Sequence, residues 1–201
     1  MLCDKFARSI RLLELEPEDR PDQFYYLVEL GGSKLALGDR SGLEPLTKAA
    51  LLVESGKEAA TSASSMLQLL LEQLLAADHL PEGFPWTFDR IERLASEEFA
   101  DSIPLVWQRA RRRFLASQHA EAARLLERIG TLAREGSYNK ACSFNPAIIY
   151  ADAALNLAVC YAHLGKLDDA IELFETLVGH PVRGEAARAN LASLRRLRDE
   201  S

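Results

Sequence analysis

One spacing constrains this chain more than any other. Ala154 is followed by Leu157, Ala158 and Tyr161, then by Ala170 and Phe174, then by Pro181. Small residues at 158 and 170 let two helical backbones approach closely, and Leu157 and Tyr161, one turn apart on the first helix, are expected to face the second. Between the two helices, Gly165 in His163-Leu164-Gly165-Lys166 offers the left-handed conformation that ends a helix. Asp168 and Asp169 then open the next helix, where negative charge suits the dipole. Asn190-Leu191-Ala192 echoes Asn156-Leu157-Ala158 thirty-four residues later, a period that stacks helical hairpins.

This pattern resembles the tetratricopeptide repeat family. Ala154 replaces the usual opening Trp, and Ala158 stands where Gly is commonest; both keep the packing logic. The resemblance spans roughly two-thirds of the chain and is most specific from residue 151 onward. It implies an all-α fold, a short right-handed α-solenoid of hairpin repeats with a C-terminal capping helix. Residues 1–201 then form one helical repeat domain. Within it lie a half repeat (1–19), a repeat (20–57), an irregular helical segment (58–102), a divergent repeat (103–136), a loop insertion (137–150), the clear repeat (151–183) and the capping helix (184–199).

Upstream, Leu27, Leu30 and Gly31 followed by Leu35-Ala36-Leu37-Gly38-Asp39 mark the first helix of a pair, with Leu43 to Ser55 as the second. A β-hairpin over Phe24 to Leu37, turning at Gly31-Gly32-Ser33, is the rival reading. The helical one is preferred because Gly38 falls at the interhelix turn. Phe6 to Leu15, leading into Glu16-Pro17-Glu18-Asp19, reads as the close of a repeat, so the chain is expected to be a piece of a longer array or protein. In the middle, Ser117-Gln118-His119 precedes Ala122 and Leu126, and the helix before it holds Trp107, Ala110 and Phe114. Ala122 and Ala170 stand forty-eight residues apart, fourteen more than the period. An insertion or lengthened helices near Arg134 to Asn145 must absorb the excess, where Gly136-Ser137-Tyr138-Asn139 and Asn145-Pro146 signal a loop. Lys57 to Ala77 is helical without the family's spacing, and His79 to Phe88, with Pro81, Gly83 and Pro85, is an irregular connector.

The 201 residues are 48% hydrophobic, enough for a core, and carry a net charge of -6. That acidic balance argues against nucleic-acid binding, which needs a basic footprint. No apolar stretch reaches the ~20 residues of a membrane span; the longest, Met66 to Ala77, includes Gln68, Glu72 and Gln73. Asp4, Lys5 and Arg8 do not make a secretory leader. Cys3, Cys142 and Cys160 form no CxxC pair, which fits a reducing, cytoplasmic setting. Cys160 lies in an apolar helical pattern, as a small hydrophobe would.

Nothing in the chain carries the spacing of a catalytic centre. Gly31-Gly32-Ser33 lacks the frame of a phosphate loop. His79, His119, His163 and His180 are scattered without metal-ligand spacing. The neighbouring carboxylates Glu97-Glu98 and Asp168-Asp169 point to different sides of a helix. No GxSxG elbow surrounds a serine. No enzyme activity, cofactor or metal is expected.

The resembled family holds peptides in a groove lined by the first helix of each repeat. Carried to this sequence, the groove residues are Asn156, with Asp152 and His163, continued by Asn190; Gln108 and Arg111 fall in the middle, and Tyr25 and Glu29 toward the N-terminus. An amide such as Asn156 both donates to and accepts from a peptide backbone, though it equally serves a bond between neighbouring repeats. Asp152, Val159 and Ala186 stand where a basic set would capture a C-terminal carboxylate, so that mode is not expected. Arg109, Arg111, Arg112 and Arg113 are a solvated or ion-paired face, or else a strip that grips an acidic peptide or phosphate. The expected function is a protein-interaction scaffold with a protein or peptide partner. Two alternatives stay open. One is an accessory segment of a larger enzyme, since Phe144-Asn145-Pro146, Asn156-Leu157-Ala158 and Leu164-Gly165 resemble repeat regions of bacterial family 2 glycosyltransferases. The other is self-association into a homo-oligomer.

Overall fold

The computed structural model describes residues 2–15, 24–55, 64–140 and 144–199, and every regular element among them is helical. The chain divides into two compact units, Met1–Glu98 and Phe99–Ser201. Cys142 and the proline exit at 16–19 lie outside the described residues, as does the start of the helical pattern before residue 64.

The first unit holds α1 (Leu2–Leu13), α2 (Phe24–Ala36), a 3-10 turn at Arg40–Gly42, α3 (Leu43–Glu54), α4 (Ser64–Ala76) and α5 (Phe88–Glu98). Helix α2 runs unbroken through Gly31-Gly32-Ser33, so the β-hairpin does not form. A Cβ on Gly31 would sit 2.6 Å from Leu46 Cγ and 2.7 Å from the Gly42 carbonyl oxygen. The glycine lets the start of α3 lie directly on α2, and that packing outweighs its poor helix propensity, about 1 kcal/mol. Leu70, Leu71, Leu74 and Leu75 of α4 are buried on one side of their helix, and α4 packs on α2 and α5. The irregular connector before α5 is pinned by buried Trp86, whose Nε1 donates to Glu54 Oε1 at 2.5 Å. Arg90 pairs with the same carboxylate and lies over the indole, 5.7 Å from its centroid.

The second unit holds α6 (Ile103–Leu115), α7 (His119–Glu135), a wide π turn at Ile148–Asp152, α8 (Ala153–His163), α9 (Leu167–Leu177) and α10 (Gly184–Asp199). Helix α6 pairs with α7, α7 with α8, α8 with α9, and α9 with α10. Ser102 caps α6 by accepting from the Leu105 N–H, with Pro104 in the first turn. The extra residues of the middle are visible: α7 has 17 residues where α9 has 11, and a loop and the π turn follow it. Tyr138 and Phe144 in that loop meet edge to face at 5.8 Å and pack on the core of α6, α7 and α8.

The two hairpins of this unit turn by the same geometry. In the α6–α7 turn, the Ser117 N–H donates to the Phe114 carbonyl at 2.9 Å, and the Gln118 N–H to Arg113 at 2.8 Å. In the α8–α9 turn, the Gly165 N–H donates to Ala162 at 3.1 Å, and the Lys166 N–H to Tyr161 at 2.9 Å. Both are Schellman closures with a left-handed residue, Ser117 at φ 59° and Gly165 at φ 75°. The α2–α3 turn of the first unit repeats the pattern at Gly38, whose φ is 78°.

One expectation needs correction. Ala158 and Ala170 are fully buried in one cluster with Phe174, as close approach of α8 and α9 demands. Leu157, however, packs on the cluster built by α6 and α7, and the Tyr161 hydroxyl donates to Glu127 of α7 at 2.8 Å. Tyr161 packs on the cluster of α9 and α10 as well, as expected, so Leu157 is the side chain that turns to the preceding hairpin, while Leu155, Val159 and Ala158 join α8 to the helices that follow. Spacing alone places these side chains on inward faces without saying which neighbour each meets.

Candidate functional site

The shared turn sets a register. With Ser117 and Gly165 equivalent, residues of α6 and α8 that stand forty-eight apart occupy the same place, and the Asn156–Asn190 echo extends the register to α10. Gln108, Asn156 and Asn190 form one such row. Arg111, Val159 and Ser193 form a second, and Leu115, His163 and Leu197 a third.

On α8 and α10 these positions converge. Val159 and His163 from α8, Phe174 from α9, and Asn190, Ser193 and Leu197 from α10 line an open cleft of about 260 Å³. The Asn156 side chain is half-buried and has no hydrogen bond among the described residues. Asn190 is exposed, and its Nδ2 donates back to the Ala186 carbonyl at 2.9 Å. Gln108 Oε1 is buried without a partner among the described residues. Arg111 is exposed and has no ion pair among them. Leu115 and Leu197 are 69% and 54% exposed, high for leucine.

His163 stacks on His119, ring centroids 4.1 Å apart and planes within 3°, while Phe114 meets His119 edge-on at 5.7 Å. Loss of water around His119, and then the nearby His163 charge, lower its pKa. Burial pushes the Cys160 thiol up to about 11, so it is no nucleophile. Burial and then the Glu127 hydrogen bond raise Tyr161 to about 12.

The other expected groove residues are placed differently. Asp152 sits in the π turn, only 9% exposed, where Arg183 Nε donates to its Oδ1 at 2.6 Å. Its carboxylate is engaged by the loop after α9 rather than offered to a partner. Tyr25, 57% exposed, and half-buried Glu29 lie on α2 of the first unit. Leu115, Ser193 and Leu197 were not singled out from sequence. Their signal was the pair of offsets, forty-eight and thirty-four residues, already present in the sequence and applied to Arg111 and His163.

Two adjoining cavities of about 380 and 470 Å³ in the first unit share Arg40, Leu43 and His79. Their walls mix Arg40 and Lys48 with Asp78 and Glu44, so neither selects a charge. Among the described residues no group of three or more His, Cys, Asp or Glu could hold a metal ion, and no helix is long and apolar enough to cross a membrane. No family model, curated protein or solved structure matches the chain.

Proposed function

We propose that this protein is a non-catalytic scaffold that holds a peptide or protein partner along α6, α8 and α10. Its hairpins would act as tetratricopeptide-type repeats in a short right-handed solenoid, with α10 as the cap. The observation that carries this reading is the recurrence of an amide, Gln108, Asn156 and Asn190, at one place on three successive first helices. A free amide offers a donor and an acceptor side by side, which matches the alternating groups of an extended backbone. Of the three, Asn156 offers both, since Asn190 Nδ2 is engaged by Ala186 and Gln108 Oε1 is buried. Asn156 has neither group occupied among the described residues, which suits a waiting contact better than a structural one. The cleft that Asn190 lines supplies apolar surface, from which most binding free energy comes.

A pull-down from native extract, with the wild-type chain and an Asn156→Ala, Asn190→Ala variant of unchanged circular dichroism, tests the proposal. A protein retained by the first and lost by the second supports it. Equal retention by both removes the amide row from the binding site.

A further inference from the structure

Charge is unevenly shared among the helices of the second unit. Helix α6 carries four arginines and no acid. Helix α8 has no acidic, lysine or arginine side chain, and α10 has four arginines against one glutamate and one aspartate. Helix α9 is the reverse, with four carboxylates and no base. In a chain of net charge -6, the arginines thus gather on the helices that bear the three rows, although Arg195 and Arg198 of α10 pair with Glu175 and Asp168 of α9. None of the nine row positions is acidic, and Arg111 stands in the middle row without an ion pair among the described residues. Asp152, the nearest carboxylate in sequence to the rows of α8, is neutralised by Arg183.

The cleft adds a second preference. Its volume of about 260 Å³ falls below the ~300 Å³ at which small-molecule sites begin, so it takes one large side chain rather than a cofactor. Phe174 at its floor and Leu197 at its rim make that side chain apolar.

Resting on the scaffold reading above, we infer that the partner is an extended peptide segment pairing an acidic residue with a bulky aliphatic or aromatic one. The carboxylate sets against Arg111 in a charge-assisted bond. The apolar side chain fills the cleft between α8, α9 and α10. The backbone between them runs along the amides.

The test is a display selection of short random peptides on the immobilised full chain. Recovered peptides are then fluorescently labelled and titrated against the wild type, Arg111→Glu, Leu197→Asp and the control Arg124→Glu. Arg124 is exposed on α7, away from the rows. The expected result is enrichment of Asp or Glu together with Leu, Phe or Trp. Arg111→Glu and Leu197→Asp each weaken binding about tenfold, and Arg124→Glu leaves it unchanged. Recovered peptides without acidic bias, or equal binding by Arg111→Glu, overturn this inference and leave the scaffold reading standing. Equal competition by a DNA oligonucleotide also overturns it, since the arginines then respond to any polyanion. No peptide recovered on a chain with native circular dichroism overturns the scaffold reading itself.

Discussion

Ser117 holds the same left-handed turn position between α6 and α7 that Gly165 holds between α8 and α9, and only the second is a glycine. A side chain in that conformation costs about 1–2 kcal/mol. Part of this is offset because a glycine loses more freedom on folding, about 0.4–1 kcal/mol. Ser117→Gly should therefore stabilise the protein by up to ~1 kcal/mol, and Gly165→Ser should destabilise it by a similar amount. Urea denaturation of the two variants checks both signs. An unchanged midpoint for both would mean that the turn relaxes freely.

Two other glycines should respond to alanine in opposite directions. Gly130 lies in α7 with open space where a Cβ would go, so Gly130→Ala should gain ~0.5–1 kcal/mol of helix propensity. Gly31 would gain the same propensity, but its Cβ would press on Leu46 and on the Gly42 carbonyl. Overpacking against backbone costs ~1–3 kcal/mol, so Gly31→Ala should be destabilising on balance. Thermal melts of the pair decide it; stabilisation by both would show that α2 and α3 can separate cheaply.

The Asp152–Arg183 pair closes the second unit at the π turn. Removing Arg183 leaves a nearly buried carboxylate alone, which for a fully buried pair costs several kcal/mol. Arg183 is 42% exposed, and solvent screening lowers the expected loss to about 1–2 kcal/mol. A double-mutant cycle with Asp152→Ala and Arg183→Ala measures the coupling. A value near zero would return Asp152 to the list of residues free to meet a partner.

Stability should fall as pH is lowered past the histidine range. His119 has its pKa held below 6.5 in the folded chain, by desolvation and then by His163. Above 6.5 the ring is neutral in both folded and unfolded chains, and no dependence arises there. Below it the unfolded chain takes up the proton first, so stability declines as pH drops through the folded pKa. Melting temperatures one unit above and one unit below 6.5 should differ less in His119→Phe than in the wild type. An equal difference in both would assign the decline to the carboxylates.

Much of the fold was legible because helix ends are local events. Gly38, Gly165 and the Gly184–Asp199 helix could be placed from neighbouring residues alone, since a left-handed glycine closes a turn whatever lies beyond it. Ser117 was harder, because serine carries no such signal and the turn is imposed by the packing of α6 on α7. The candidate site was legible in part. Asn156, Asn190, Gln108 and Arg111 were found from spacing, whereas the cleft that Ser193 and Leu197 line forms only when α8, α9 and α10 pack, and the exposure of Leu115 is likewise a matter of packing.

The sequence by itself determined that the chain is helical and where its hairpins turn, because periodicity and caps act over a few residues. It also marked which side chains face inward. Tertiary structure alone decided which neighbour each inward side chain meets, sending Leu157 to the preceding hairpin, Ala158 to the following helices, and setting Tyr161 against both. It likewise decided that Asp152 turns to Arg183 and that His119 and His163 stack. Those contacts join residues 31 and 44 positions apart in the chain, and distances of that kind are set by how whole helices pack.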